Sequence, residues 1–380
     1  MQEIRIGIIG FGNMGKGHAQ YLSEGKIEGC KLTAICDIIK PKEKIYKDYL
    51  YFEDYKNLIN SGEVDAVIIS TPHYLHTTIG IYALKSGIHT LVEKPISVHR
   101  GDCEKLIKAH TDKNIVFSAM FNQRTRAPYK KIKELIPTVG KIQRLTCIST
   151  DWYRTQAYYN SSSWRSTWSG EGGGVLLNQA QHQLDIVWWL AGMPDTVFAD
   201  ISLGKYHNIE VEDQVNAIFT YPTGAIGNFI ASTGEFPGSS ILDIQGEKGK
   251  LHYEGNKLQI WANNESSLTY SKNSTKTIQK ENKAKTSANY MTTPKTEYSE
   301  IIFDEHEDFL TQHANITQNF VNAILKGESL IAPGEEGINA VTICNGIILS
   351  GIKKKKVNLP ISSREYKILL NNLIKGEKCI

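Results

Sequence analysis

The first forty residues constrain this chain more than any other part of it. IRIGIIG (residues 4–10) is a β-branched run with no polar alternation, as expected of a strand buried on both faces. It runs directly into GFGNMG (10–15), a G-x-G-x-x-G sequence, and a helical pattern follows. The next apolar run, KLTAICD (31–37), ends on Asp37, 22 residues after Gly15. Each part has a mechanical reason. Gly10 permits the tight turn, Gly12 lets the backbone approach a pyrophosphate, and Gly15 allows close helix–strand packing. The free N–H groups of a helix start receive phosphates. Asp37 can accept hydrogen bonds from ribose hydroxyls and would repel a 2′-phosphate, which favours NAD over NADP. A glycine-rich turn alone is a weak signal. Strand, glycines, helix, strand and terminal acid in this order and spacing form a strong one. The expected contacts at this end are Gly10, Phe11, Gly12, Asn13, Met14, Gly15 and Asp37.

The alternation continues. VDAVIIS (64–70), HTLVEK (89–94) and NIVFSAM (114–120) read as strands, with helices over 77–87 and 99–111 between them. This is a doubly wound parallel sheet, and ligands on such sheets sit beyond the carboxyl ends of the strands. STPHYLH (70–76) and EKPIS (93–97) lie at such ends. Thr71, Pro72, His76, Glu93 and Lys94 therefore join the expected dinucleotide contacts. Lys94 stands where a cofactor would lie, with Pro95 turning the chain after it. A lysine at a strand end is ordinarily a solvated loop residue. Beside a nicotinamide, its ammonium could hydrogen-bond a substrate hydroxyl and stabilise a developing alkoxide.

GVLLNQAQHQLDIVWWLAG (174–192) reads as one helix, with Asn178, His182 and Asp185 at i, i+4 and i+7 on a single stripe. The rest of the helix is apolar and carries neither Lys nor Glu. The stripe is expected to face an internal cleft, because buried polar groups need partners; a satisfied core histidine is the bland alternative. Just upstream, DWYRTQAYYNSSSWRSTWSGEGGG (151–174) crowds Trp152, Tyr153, Tyr158, Tyr159, Trp164 and Trp168 together with Arg154 and Arg165. Such a loop can pack on its own aromatics. It can equally form a pocket wall in which rings stack on sugar C–H faces and arginine grips hydroxyls, a carboxylate or a phosphate. Tyr153, Trp164 and Arg165 are the expected substrate contacts, and Arg124 and Tyr129, just after the fifth strand, could belong to the same wall.

After about residue 125 the rhythm changes to strands. KIQRLTCIST (141–150) is one. QVNAIFTY and AIGNFIAST flank the Pro222-Thr223-Gly224 hairpin turn, and ILDIQGEKGKLHYEG (241–255) is a second hairpin turning at Gly246 and Gly249. Residues 263–298 are Asn-, Ser-, Thr- and Lys-rich and read as an exposed loop. Two closing helices are expected over 305–326 and 334–352. The fold class is thus α/β: a Rossmann doubly wound parallel sheet over 1–125, then an α+β domain with an open, mostly antiparallel sheet over 126–380. The C-terminal helices are free to pack back on the first domain. A homodimer or homotetramer is expected from the open sheet.

Composition narrows the partners. A net charge of +3 over 380 residues gives no strong pull toward nucleic acid or membrane, and no apolar run is long enough to span a bilayer. The Lys353–Lys356 run precedes Val-Asn-Leu-Pro and reads as a solvated turn. None of the six cysteines forms a C-x-x-C pair, which suits buried free thiols rather than disulfides or a zinc site; no metal is expected. The N-terminus, MQEIRIGIIG, resembles neither a signal nor a transit peptide, so a cytoplasmic enzyme is the default.

With GFGNMG at 10–15, TPHYLH at 71–76, EKP at 93–95 and GGGVLLNQAQHQLD at 172–185, the chain resembles the Gfo/Idh/MocA oxidoreductases over nearly its whole length, and NFVNAILKGESLIAPGEEGINAVTICNGIILSG (319–351) resembles the family's end. The resemblance implies a bound NAD(P) with Lys94 and His182 flanking the nicotinamide and the reacting hydroxyl. Many members carry an aspartate where this chain has Asn178, and asparagine is common where it has His73. An asparagine can orient substrate or His182 but cannot raise the histidine's pKa by charge. The expected activity is hydride transfer between NAD and a secondary hydroxyl of a sugar, sugar derivative or cyclitol, with Lys94, Asn178 and His182 at the reacting centre. Imidazole suits the base, having an ordinary pKa near working pH. Two rivals stay open: an enzyme that retains NAD and cleaves glycosides by transient oxidation, and a non-catalytic NAD-binding regulator.

Overall fold

In the computed structural model, residues 3–41, 47–280, 292–304 and 308–377 are described, apart from the side chains of 275–280. The first sheet holds β1 (Ile4–Ile9), β2 (Cys30–Cys36), β3 (Leu50–Phe52), β4 (Ala66–Ile69), β5 (His89–Val92) and β6 (Phe117–Ala119), all parallel in the order 3-2-1-4-5-6. Its helices are α1 (Asn13–Ser23), α2 (Tyr55–Asn60), α3 (His73–Lys85) and α4 (Arg100–Ala109). Ile6, Ile8, Val67, Ile68 and Leu91 are fully buried, as strands covered on both faces require. The strand order reverses between β1 and β4, and the loops that follow these two strands meet there. A Cβ on Gly10, whose φ is +92°, would lie 2.7 Å from the backbone joining Ser70 and Thr71. Only glycine fits both that conformation and that approach.

The second sheet has nine strands: β7 (Ile142–Ser149), β8 (Thr196–Leu203), β9 (Glu212–Thr220), β10 (Ile226–Ser232), β11 (Ser240–Gly246), β12 (Gly249–Glu254), β13 (Lys257–Asn263), β14 (Thr296–Ile302) and β15 (Val357–Asn358). Their order is 14-13-12-11-7-10-9-8-15, antiparallel except for the β7–β10 pair. Both expected hairpins form, turning at Pro222–Gly224 and at Glu247–Lys248. Side chains alternate: Val197, Ala199, Val215 and Ala217 are buried, whereas Phe198, Ile218 and Ile226 on the other face are exposed. The helices that accompany this sheet are α5 (Ala127–Leu135), α6 (Gln156–Tyr159), α7 (Gln181–Ala191), α8 (Ser267–Lys280), α9 (Phe309–Lys326), α10 (Gly337–Lys353) and α11 (Ser363–Ile374).

The chain's end returns to the first sheet. The Ala119 amide donates to Ala332 O at 3.0 Å, the Tyr21 hydroxyl on α1 lies 2.8 Å from that of Thr317 on α9, and the Arg100 amide donates to Asn345 Oδ1 on α10 at 2.9 Å. Among the described residues no helix is long and apolar enough to cross a membrane.

Three expectations change. Residues 263–298 are not a simple loop: they include α8 and the start of β14, although 281–291 lie outside the described residues. β14 joins the sheet edge through its backbone, and nearly all its side chains are exposed, so it leaves no alternation in the sequence. The run 174–192 is not one helix. Turns occupy 175–180, and α7 begins at Gln181, because the amides of Gly174, Val175 and Leu176 are drawn to Glu212. Arg124, expected in the pocket wall, is instead fully buried against Asp185. Its Nε and Nη2 donate to the two carboxylate oxygens at 2.8 and 2.6 Å, and Nη1 reaches Glu336 at 2.5 Å and the Ile331 carbonyl at 3.1 Å. Phe121, Trp188 and Trp189 enclose the guanidinium.

This pair ties the end of the first sheet to α7 and to the entry of α10. Asp185→Ala should lower the unfolding free energy by about 3–5 kcal/mol, because a buried cation loses its principal partner. Arg124→Met combined with Asp185→Leu should recover most of that loss. Urea denaturation measures both, and a cost under about 1 kcal/mol for Asp185→Ala would disprove the structural tie.

Candidate active site

The dinucleotide end is built from the β1–α1 turn and the tip of β2. Asp37 holds the turn in shape, accepting the Phe11 amide at 2.6 Å and the Ile39 amide at 2.9 Å through its two carboxylate oxygens. Beside it lies a groove lined by Phe11, Gly12, Lys16, Asp37, Ile39, Lys40 and Pro41. A Cβ on Gly12 would meet nothing within 4 Å, so this side of the turn is open to a ligand, whereas a Cβ on Gly15 would strike Gly10 O. Asn13 and Met14 form the first turn of α1. The Thr71 hydroxyl oxygen is buried without a partner among the described residues. An open glycine turn, a carboxylate beside it and an orphaned hydroxyl at the switch point all fit NAD.

Two residues expected at the cofactor are committed elsewhere. His76 places its ring nitrogens 2.7 Å from the carbonyl oxygens of Pro95 and Thr71, tying the two strand-end loops together. Glu93 is buried, with Oε1 2.9 Å from His18 Nε2 and Oε2 accepting the Lys94 amide at 3.1 Å. Burial opposes its ionisation, but the His18 hydrogen bond and neighbouring charge prevail and hold the carboxyl at about 2. Pro72 caps the start of α3.

The second domain meets these loops through the turns that precede α7. Lys94 Nζ donates to the Asn178 carbonyl at 2.9 Å. The Asn178 side-chain amide donates to Glu171 Oε1 and, at 3.3 Å, to the Tyr158 hydroxyl. Burial lowers the Lys94 pKa while Glu93 and Glu171 pull it back up. His182 is buried, and neither ring nitrogen has a hydrogen-bond partner among the described residues. Burial and the adjacent Lys94 push its pKa well below 6.5, so it is a neutral base at neutral pH. The structure thus brings Lys94, Asn178 and His182 together, with Asn178 arriving from a turn rather than from the helix stripe. Asp185 belongs to the Arg124 pair.

Of the aromatic segment, Trp164 packs edge-on to His73 and Arg165 lies over the rings of Tyr158 and Trp164. Tyr153 does not join them; it is 45% exposed and packs on Phe236 at the rim. Tyr129 is buried against Tyr253.

Two carboxylates escaped the sequence reading. Glu171 is buried beside Asn178; burial raises its pKa, and Oε2 accepts the Ser166 amide at 2.8 Å. Its position inside the buried GEGGG run was the available signal. Glu212 supports the turns before His182: Oε1 accepts the amides of Gly174 (2.8 Å) and Leu176 (3.1 Å), while Oε2 is buried without a partner. A Cβ on Gly174 would lie 2.0 Å from Glu212 O, which explains the last glycine of the triplet.

Comparisons with known proteins give the family and the fold. Residues 4–121 match the GFO/IDH/MocA oxidoreductase family, NAD-binding Rossmann fold, and residues 129–252 match the GFO/IDH/MocA C-terminal domain. The chain is 27% identical over 262 residues to myo-inositol 2-dehydrogenase of Thermotoga maritima, covering 65% of this chain and 74% of that one. It is 26% identical over 295 residues to levoglucosan dehydrogenase of Pseudarthrobacter phenanthrenivorans, covering 66% and 73%. The crystal structure of the WlbA dehydrogenase from Bordetella pertussis, in complex with NADH and UDP-GlcNAcA, superposes with a TM-score of 0.75 over 95% of this chain and 100% of that one. Its identity is 23%, a likeness of fold.

Burial pushes the Glu212 carboxyl up to about 7. The native state therefore keeps a proton that the unfolded chain loses above its ordinary value of 4.5. Its stabilisation is complete below 4.5 and disappears as pH rises through 7. Glu212→Gln, neutral throughout, should match wild type near about pH 5 and exceed it near about pH 8, by up to about 3 kcal/mol. Thermal melts at the two pH values check this; a variant less stable than wild type at the higher pH would contradict it.

Proposed function

The chain belongs to the Gfo/Idh/MocA family of oxidoreductases, and from that premise we propose that it is an NAD-dependent dehydrogenase acting on a secondary hydroxyl of a sugar, sugar derivative or cyclitol. The observation that carries the reading is Lys94, held on the Asn178 carbonyl at the end of a Rossmann strand, acting on a buried, neutral His182 whose Nδ1 has no partner among the described residues. Two relatives support the substrate class, being named for myo-inositol and levoglucosan, both polyhydroxylated rings.

NAD, held by Gly10–Gly15 and Asp37, would supply the two-electron acceptor for the hydride. His182 takes the hydroxyl proton as the carbinol C–H bond breaks, and its lowered pKa keeps it ready to do so. Lys94 donates a hydrogen bond to the same oxygen and stabilises the charge that develops on it. Asn178 fixes Lys94 through its backbone carbonyl, and its side-chain amide ties that carbonyl's residue to Glu171 and Tyr158. Trp164 and Arg165 line the substrate side beyond it.

His182→Ala and Lys94→Ala should each lower kcat by roughly 10²–10⁴ while NADH still binds. The substrate is found by screening sugars and cyclitols for NADH formation. The acid limb of kcat/KM should lie below 6.5, because His182 must be neutral to act. The alkaline limb should lie below the ordinary lysine value of 10.5. Near-normal turnover in either alanine variant would remove that residue from the chemistry. Glycoside cleavage without net NADH would replace this reading with the retained-cofactor one.

A further inference from the structure

The charges around Lys94 and His182 do not balance. Arg154 and Arg165 both come from the aromatic segment and both lie over the Tyr158 ring, with guanidinium carbons 5.0 and 4.6 Å from its centroid. Trp152 and Trp164 back them at 5.4 and 4.8 Å. Stacking fixes the two guanidinium planes without using their N–H groups. Among the described residues the Arg154 guanidinium makes one hydrogen bond, from Nη1 to the Tyr153 carbonyl at 3.0 Å. The Arg165 guanidinium makes one, from Nη1 to the Tyr158 hydroxyl at 2.7 Å. The Nε of each is buried without a partner among the described residues. Among the described residues, neither arginine nor Lys94 forms an ion pair with a carboxylate.

The arginines are close to the reacting groups. The Tyr158 oxygen that receives Arg165 also receives the Asn178 amide, and the Asn178 carbonyl receives Lys94 Nζ. Gln179 Nε2 is a third donor to that phenol oxygen, at 3.2 Å, and the phenol's own proton has no acceptor among the described residues. Two carboxylates act on this cluster of three cations: Glu93, behind Lys94 and engaged with His18, and Glu171, which accepts the Ser166 amide and the Asn178 side chain. An ionised side chain at position 178 would have reduced the excess; an asparagine leaves it. Hydroxyls of a neutral polyol could accept these N–H bonds but would add no counter-charge to a cluster in which three cations face two carboxylates, a costly arrangement for partly buried guanidiniums.

We infer that Arg154, Arg165 and Tyr158 form an oxyanion subsite, so that the substrate is an acidic sugar derivative whose carboxylate or phosphate sits beside the carbon being oxidised. The inference rests on the dehydrogenase reading above and narrows its substrate class. A guanidinium pair stacked on rings presents its N–H edges to a carboxylate or phosphate in fork geometry, and the fixed positive field draws the anion in.

The test is calorimetric binding to NADH-loaded protein at neutral pH, using matched sets: glucose, galactose and mannose, their uronates, and their 6-phosphates. In at least one set an acid should bind about tenfold or more tighter than its neutral parent, and the advantage should shrink with added salt. Preference for the uronate or for the phosphate identifies the anion. Arg154→Met and Arg165→Met should each remove most of that advantage while NADH affinity and Tm hold, and Arg165→Lys should restore part of it. Neutral sugars binding as tightly as the acids in every set would overturn the subsite and leave the dehydrogenase standing. So would an acid preference that survives both Met variants, or Met variants that weaken NADH instead. Binding of no sugar, acidic or neutral, would overturn the subsite and the carbohydrate reading together.

Discussion

A buried arginine fixes how the helix that carries His182 sits against the first sheet of this protein. Arg124 leaves the end of β6, grips both oxygens of Asp185 on α7, and reaches Glu336 at the entry to α10. His182 lies one turn before Asp185 on the same helix. The position of the candidate base relative to the Rossmann sheet is therefore set by a charged, bidentate contact rather than by apolar packing alone. Apolar contacts permit sliding between neighbouring rotamers, whereas a fork of two N–H bonds has one geometry. A buried pair is a weak source of net stability and a strong determinant of arrangement. That is what a site assembled from two domains needs.

A second buried network does for Lys94 what Arg124 does for His182. Glu93, next in sequence, is locked to His18 on α1 and receives the Lys94 amide, while His313 on α9 lies 3.8 Å from it. The lysine backbone is held from behind by an ionised carboxylate, and its side chain is held in front by the Asn178 carbonyl. Burial lowers the pKa of both Lys94 and His182, the former against the pull of Glu93 and Glu171. A cation that gives up its proton more easily beside a base that stays neutral is a coherent pair for moving a proton off a hydroxyl.

The fold was legible because it is written in local patterns. Continuous apolar strands, the glycine turn and Asp37 specify the first sheet, and alternation with Pro-Thr-Gly and Glu-Lys turns specifies most of the second. β14 was not legible, since an exposed edge strand is defined by its partner's backbone and needs no pattern of its own. The same reason separates the site residues. Lys94 and His182 sit in the EKP and GGG-to-His segments that carry the family resemblance. Arg124 was misplaced because its environment is created by Asp185, 61 residues away, and by a helix entry still further along the chain. Glu212 was invisible because its ligands are backbone amides, which every residue has. Asn178 was placed on a helix stripe by periodicity alone, and Glu212 is what interrupts that helix.

The aromatic segment links the two halves of the site. Its amino end is fastened to the second sheet: the Arg154 amide donates to Thr233 O, the Arg154 carbonyl meets His207 Nε2, and the Tyr159 hydroxyl meets that of Thr233. Its carboxyl end is fastened to the first domain: His73 Nδ1 lies 3.0 Å from Glu171 O, and the Tyr74 hydroxyl donates to Trp168 O at 2.7 Å. Arg154 and Arg165 therefore ride on one segment fastened to both domains, with Tyr158 between them; Ser166 and Trp168, beside Arg165, are also bonded to Glu210 of the second domain. The packing that sets Lys94 against His182 also sets the span between the two guanidiniums. A change at the domain interface would therefore move the Lys94–Asn178 contact and the two guanidiniums together, and a change at Tyr158 reaches Asn178 through the phenol oxygen.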